Sequence, residues 1–331
     1  MKDPLLQTEA GVKLLALVGP TAVGKTKVAI LNAPRLNAEI ISVDSMQVYR
    51  GMDIGTAKPT EQERQNVPFH LTDIVDACTS FSVAAYKEMA EAAIADISSR
   101  GKRPLLVGGS GLYFRAVVDN LDFAHAAPDR QTGGKIRAEL SGSTSAELHS
   151  LLQQVDPKAA GEIPPSNKRR VLRALEVAGS GERLVSERQD SWIGYRSIYD
   201  LVAVGLEMDR DLLFRLIDDR VDSMISKGLE NEVKWLGGCG LSQGSTAGEA
   251  LGYRQMLDFL SGRTSRDAAI SEIKKRTRHY ARRQFTWFKK DPRIRWFRVE
   301  GSASDSPGDI DRSLRHTASL VLEYMVDKLE N

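Results

Sequence analysis

Cysteine is nearly absent: Cys78 and Cys239 are the only two among 331 residues. They lie far apart, with no metal-ligand spacing and no His pair nearby. That excludes a disulfide framework and a Cys/His zinc module. Two free thiols fit a reducing, cytoplasmic setting. Long apolar runs are missing as well. Nothing approaches the roughly 18 apolar residues of a membrane-spanning helix, so no membrane segment is expected. The first residues carry Asp3, Pro4 and Glu9 and no apolar core, so no secretory leader is expected. There is no internal repeat, and low complexity is confined to residues 302–308. Hydrophobic residues at 41% and charged residues at 27% place the chain among folded globular proteins, not disordered ones. Its length allows one large domain or two smaller ones with a sizeable core.

The net charge of +2 conceals an asymmetry. Between Arg263 and Arg298 there are thirteen Lys or Arg against three Asp or Glu, a local charge of +10. The remainder therefore carries −8. A strongly basic segment on a mildly acidic body suggests one surface that meets a polyanion.

Short apolar runs at Leu14–Val18, Glu39–Val43, Pro104–Val107 and Leu201–Leu206 alternate with helical patterns such as Val83–Ser99. Ile294–Val299 adds a further candidate strand. This rhythm predicts an α/β fold, a parallel sheet with helices on both faces. From about Leu121 to Tyr199 the pattern is helical only, with periods at Ser145–Val155 and Lys168–Val177. The expected organisation is a core formed by residues 1–120 and 200–331, interrupted by a helical insertion over 121–199.

Gly19-Pro20-Thr21-Ala22-Val23-Gly24-Lys25-Thr26 fits the phosphate-loop pattern G-x-x-x-x-G-K-[ST] completely. It follows a predicted strand and opens a predicted helix, the context that gives the motif meaning. Its backbone N–H groups can form an anion nest, reinforced by the helix N-terminus. Lys25 supplies a point charge for terminal phosphate oxygens, and Thr26 a hydroxyl ligand for Mg²⁺. The motif names phosphate binding, not which phosphate compound. Pro34 should end or kink the helix that follows.

Asp44 closes the second predicted strand, at the sheet end where ligands bind in open α/β folds. A carboxylate there can hold Mg²⁺ through water or act as a general base. The plainer alternative is a cap for the following turn. Gln47 has the paired donor and acceptor needed to read an adenine edge.

On a helical wheel, Ile273, Thr277, Tyr280, Ala281, Gln284, Trp287 and Phe288 share one face of the Glu272–Lys290 stretch. Lys274, Lys275, Arg278, Arg282, Arg283, Lys289 and Lys290 fill much of the other. No acidic residue lies between Ile273 and Lys290, so ion pairs within the helix cannot relieve the repulsion, and a nucleic-acid backbone would. A simple solvated charged face is the alternative.

The phosphate loop, Asp44–Arg50 and Gly51–Pro59 together resemble the tRNA dimethylallyltransferase family. So do Gly108-Gly109-Ser110-Gly111-Leu112-Tyr113, Arg173-Ala174-Leu175-Glu176, Gly252-Tyr253-Arg254, and the C-terminal set Lys275–Arg278, Arg282-Arg283-Gln284 and Thr286-Trp287-Phe288. The resemblance runs from about Leu14 to Trp296. It implies a P-loop NTPase-like core of bacterial type. It also implies transfer of a dimethylallyl group from dimethylallyl diphosphate to the N6 amine of the adenine 3′ to the anticodon. In that reading Gly19 to Thr26 hold the diphosphate, helped by Mg²⁺ on Thr26. Asp44, Thr26 and Arg220 are the catalytic set. The tRNA anticodon stem-loop is expected to meet Asp44, Ser45, Met46, Gln47 and Ser110, with Arg137, Lys168, Arg169, Arg170, Val171 and Leu172 in the insertion. Further contacts are expected at Ala250, Leu251, Gly252, Tyr253, Arg254 and Gln255. The last group is Arg282, Arg283, Gln284, Phe285, Thr286, Trp287, Phe288 and Lys289. Departures from the pattern are Ser110 for Thr, Phe69 before His70, and Pro165-Ser166-Asn167 before the basic triplet. His70 reads as structural. A monomer is expected, since no long apolar heptad run exists. The competing readings are a small-molecule P-loop kinase, a non-catalytic RNA-binding protein, and an adenylate isopentenyltransferase acting on free nucleotide.

Overall fold

The computed structural model describes residues 11–119, 121, 130–140, 142–179, 184 and 194–330. The chain divides into two compact units, Met1–Val118 with Ser197–Asn331, and Asp119–Arg196.

The larger unit is built on six parallel strands in the order β3-β2-β4-β1-β5-β6. They are β1 (Lys13–Val18), β2 (Ala38–Val43), β3 (Phe69–His70), β4 (Arg103–Gly108), β5 (Asp200–Met208) and β6 (Ile294–Val299). The one strand absent from the sequence reading is β3, whose two residues carry too little pattern to register. Along β1 alternate residues feed opposite faces: Leu15 and Leu17 enter one apolar core, Leu14, Ala16 and Val18 the other. A strand covered on both sides must be apolar throughout, which is why these runs read as continuous.

Helices α1 (Lys25–Asn32), α2 (Glu61–Arg64), α3 (Val83–Ser99) and α4 (Gly111–Val118) connect the first strands. Helix α1 ends at Asn32, so Pro34 lies beyond it and breaks nothing. Ser82 caps α3 by accepting from the Ala85 N–H. In the smaller unit α5 (Arg130–Glu139), α6 (Ser145–Val155), α7 (Pro157–Glu162) and α8 (Lys168–Gly179) appear. Leu148, Leu152, Ile163, Val171 and Leu175 supply its core. In the larger unit, β5 leads into α9 (Arg210–Ser226), α10 (Leu229–Gly238), α11 (Tyr253–Leu260) and α12 (Arg266–Phe288), and β6 into α13 (Pro307–Glu330).

The register sets up the site. Val18 pairs with Gly108, and Gly108 with Val43. The next residues, Gly19, Asp44 and Gly109, therefore emerge side by side at the carboxyl edge. Strand order reverses about β1, the switch point where α/β sheets hold ligands.

Candidate functional site

The phosphate loop leaves β1 through Gly19 and enters α1 through Gly24, whose φ of 93° is left-handed. Ala22 is also left-handed, at φ 67°. Such reversals point successive N–H groups into one concavity. Lys25 Nζ donates to the Pro20 carbonyl at 2.6 Å. Burial, then the nearby Arg220 charge, lower the Lys25 ammonium to about 7, with Asp44 opposing. Arg220 projects from α9 and donates to Thr21 Oγ1 at 3.4 Å. Burial also works against its charge, and Asp44 supports it.

Asp44 is held by its turn and also faces the cavity. Its Oδ1 accepts from the N–H of Met46 at 2.8 Å and of Gln47 at 3.4 Å. The capping alternative is thus realised by one oxygen, while the residue lines two adjoining cavities. Burial raises its carboxyl above the ordinary range, offset by those two N–H groups and by Lys25 and Lys58.

A cavity of about 760 Å³ contains Thr21, Gly24, Lys25 and Thr26 with Asp44 and Arg220. A second, of about 560 Å³, is lined by Ser45, Met46, Ala250, Leu251, Gly252, Arg254, Gln255 and Arg283, together with Lys275, Arg276 and His279. The two share Thr21, Asp44, Thr56, Ala57, Arg220, Met224 and Tyr280. One chamber is organised for phosphate, the other is basic, and Asp44 stands where they meet.

Several residues expected at the tRNA surface do other work. Gln284 is only 6% exposed. Its Oε1 accepts from the Thr21 N–H at 2.8 Å and its Nε2 donates to the Gly109 carbonyl at 2.9 Å. It thereby stitches α12 to the phosphate loop and to the glycine turn. A Cβ on Gly109 would collide with the Gln284 amide, so a larger residue there would displace the bridge. Gln47 lines the phosphate chamber, where its carbonyl accepts from the Ser42 hydroxyl and its amide donates to the Thr56 carbonyl, with one N–H and one lone pair left over. The Ser110 hydroxyl accepts from the Ser45 N–H at 3.2 Å and so braces the Asp44 turn. Tyr253, Phe288 and Val171 are buried core side chains. Lys289 pairs with Glu207 at 2.8 Å and lies over the Trp296 ring.

The exposed members of the expected surface are Arg254, Arg282, Arg283, Thr286, Trp287 and Lys289, with Arg169 and Arg170 in the smaller unit. Trp287 is 42% exposed despite its place on the apolar side of the wheel, because it sits beside Gly111 at the end of α12. Phe285 is half-buried, edge-on to Trp296 at 5.4 Å. Leu172 is half-buried, and Lys168 donates to the Ser143 carbonyl at 2.8 Å. Asn167 caps α8 by accepting from the Arg170 N–H, which gives that turn a defined form. The Arg137 side chain lies outside the described residues. His70 pairs with buried Glu39 at 2.7 Å, alongside Arg100 and Lys102, a structural cluster.

Two features escaped the sequence reading. The basic helix does have acidic partners, supplied by α9: Lys274 pairs with Asp222 at 2.7 Å and Arg278 with Asp218 at 2.8 Å. Glu232 on α10 accepts from the N–H groups of Asp53, Ile54 and Gly55 at 2.7–3.1 Å and from the Tyr253 hydroxyl at 2.5 Å. It fixes the 53–58 loop, which lines both chambers. No signal in the Glu232 segment pointed to this, because three of its partners are backbone groups about 180 residues away.

A sequence model of IPP transferases matches residues 47–291. The chain belongs to the IPP transferase family. A tRNA dimethylallyltransferase of Carboxydothermus hydrogenoformans is 46% identical over 285 residues, covering 86% of this chain and 91% of that protein. One from Bacillus licheniformis is 43% identical, covering 96% and 98%. Among solved structures, the full-length tRNA isopentenylpyrophosphate transferase of Bacillus halodurans superposes with a TM-score of 0.68 at 40% identity, covering 96% of this chain and 98% of its own. A eukaryotic dimethylallyltransferase acting on tRNA gives a TM-score of 0.73 at 28% identity, covering 92% and 77%. The fold of this IPP transferase is thus shared across wide sequence distance. Among its described residues, no helix is long and apolar enough to cross a membrane.

Proposed function

We propose that this chain transfers the dimethylallyl group of dimethylallyl diphosphate to the N6 amine of the tRNA adenine on the 3′ side of the anticodon, with release of diphosphate. The observation that carries the reading is the meeting of a phosphate-loop chamber and a basic chamber at Asp44, Thr21 and Arg220. A reaction between a diphosphate ester and a base on a polyanion needs those two chambers and one shared point.

The amine is a weak nucleophile because its lone pair is delocalised into the ring. Its nitrogen bonds to C1 of the allyl group as the C1–O bond breaks, and the bonding pair leaves with diphosphate. The amine proton passes to Asp44, whose carboxyl burial has already raised toward basicity. Loop N–H groups, Lys25 and Arg220 face the charge that grows on the leaving oxygens, where preorganised donors lower the barrier most. Approach to N6 requires the adenine to leave its stack. The basic chamber and the exposed Arg282, Arg283 and Trp287 suit a splayed anticodon loop, with cations for phosphate and a ring for stacking.

Mg²⁺ fits this donor set. Among the described residues no group of three or more His, Cys, Asp or Glu could enclose a metal. Thr26 lines the phosphate chamber with Asp44, and Mg²⁺ commonly takes one or two protein oxygens, substrate phosphates and several waters. Bound there, it would neutralise leaving-group charge.

The test is incubation with Mg²⁺, labelled dimethylallyl diphosphate and unmodified tRNA, with AMP in a parallel tube. Label in tRNA alone supports the reading. Label in AMP moves the chain to free-nucleotide chemistry, and ATP turnover with no label in either acceptor revives the kinase.

A further inference from the structure

We propose that Met224 sets the length of the alkyl group this enzyme accepts, holding the donor at five carbons. The inference rests on the prenyl-transfer reading above and adds a residue to it. Leu216, Arg220, Ser223 and Met224 recur at helical spacing on α9, and with Lys227 just past its end they line the phosphate chamber, so one face of that helix forms its wall. Of the α9 residues, Arg220 and Met224 alone line both chambers. They stand one turn apart, about 6 Å along the axis at 1.5 Å per residue.

That spacing has a chemical reading. Arg220 touches the phosphate loop through Thr21 and marks the diphosphate end. The reacting carbon must reach Asp44, at the junction. An alkyl chain running on from that carbon must then lie among the other junction residues, Thr56, Ala57, Met224 and Tyr280. The Thr56 hydroxyl is turned away, donating to the Met52 carbonyl at 2.5 Å. The aliphatic contact is therefore made by Ala57 and Met224. Ala57 is a single methyl held in a left-handed turn, φ 51°, where a larger side chain would be strained. Met224 is the long, adaptable member of the pair, and from its place in both linings it would meet a second isoprene unit running on from the first.

The test compares dimethylallyl and geranyl diphosphate as donors to unmodified tRNA. Met224→Ala should retain transfer of the five-carbon group and raise the geranyl-to-dimethylallyl ratio of kcat/KM about ten-fold or more, the scale on which pocket methylenes discriminate. Met224→Phe should act in the opposite sense, raising KM for dimethylallyl diphosphate several-fold with no geranyl transfer. If Met224→Ala transfers the five-carbon group and its ratio matches wild type, the inference is overturned. Should Met224→Ala fail to fold, an unchanged KM in Met224→Phe overturns it equally. Absence of dimethylallyl transfer by the wild-type enzyme would instead remove the functional reading beneath it.

Discussion

Replacing Gln284 with alanine separates two roles that its place in a tRNA-facing sequence signature confuses. In the folded chain its amide is the sole side-chain bridge between the Thr21 N–H and the Gly109 carbonyl among the described residues. Alanine orphans both groups. An unsatisfied buried polar group costs about 1–3 kcal/mol, and two together roughly 2–6 kcal/mol. Thr21 and Gly109 both line the phosphate chamber, so water can replace part of each bond. That draws the expectation to the lower half, roughly 2–4 kcal/mol. For a unit of this size the melting temperature should fall by roughly 5–15 °C. The bridge also fixes the phosphate loop at Thr21. The rise in melting temperature produced by saturating inorganic diphosphate should therefore shrink in the variant. Thermal unfolding with and without diphosphate, beside a tRNA-binding titration, reads all three quantities. Melting within a degree or two of wild type, with tRNA affinity cut ten-fold or more, would refute this reasoning and return Gln284 to the tRNA surface.

Asp44→Ala should bind tRNA within a few-fold of wild type and lose turnover in a single-turnover assay; measurable transfer removes Asp44 as the base. Lys25 predicts a pH dependence of stability. Its folded-state value is about 7 and its unfolded value that of an ordinary lysine. Above about pH 7 the unfolded chain thus binds more protons, and stability gains with rising pH up to the ordinary lysine range. Urea unfolding at pH 7 and pH 9 should show Lys25→Met more stable relative to wild type at the lower pH, with the gap closing at the higher; a constant gap contradicts the shift. Glu232→Ala should cost about 2–4 kcal/mol and raise KM for the diphosphate donor, because the 53–58 loop loses its anchor. Tyr253→Phe removes a single bond and should cost about 1 kcal/mol. Equal losses in the two variants would mean that the backbone nest contributes nothing.

What could be read in advance follows the range over which each signal acts. The sheet was legible because a doubly covered strand is apolar at every position, and Leu14–Val18 states that locally. The phosphate loop was legible because its geometry is encoded within eight consecutive residues. Asp44 was legible because all strands of a parallel sheet end at one edge, so the residue after β2 comes out at the same edge as the phosphate loop, with only β4 between them. The internal bonds of Gln47, Ser110 and Gln284 were not legible, for a different reason. Gln47, Ser110 and Gln284 carry the donors and acceptors of recognition residues, and the chain also uses such groups to satisfy its own backbone. Side-chain chemistry is the same for both uses, and the partners, Thr56, Ser45 and the Thr21–Gly109 pair, come from other segments. The basic helix shows the same limit in charge. Counted along its own sequence, α12 has no acid after Glu272, yet Asp218 and Asp222 project from α9 one turn apart and neutralise Arg278 and Lys274. The surplus left on the acceptor side is Lys275, Arg276 and Arg283, with Glu272 shared by Arg276 at 2.6 Å and Lys275 at 4.0 Å, while Arg282 lies over the Phe214 ring. A polyanion is therefore drawn to one sector of the helix, the sector that Arg283, Arg276 and Lys275 share with the basic chamber above Asp44.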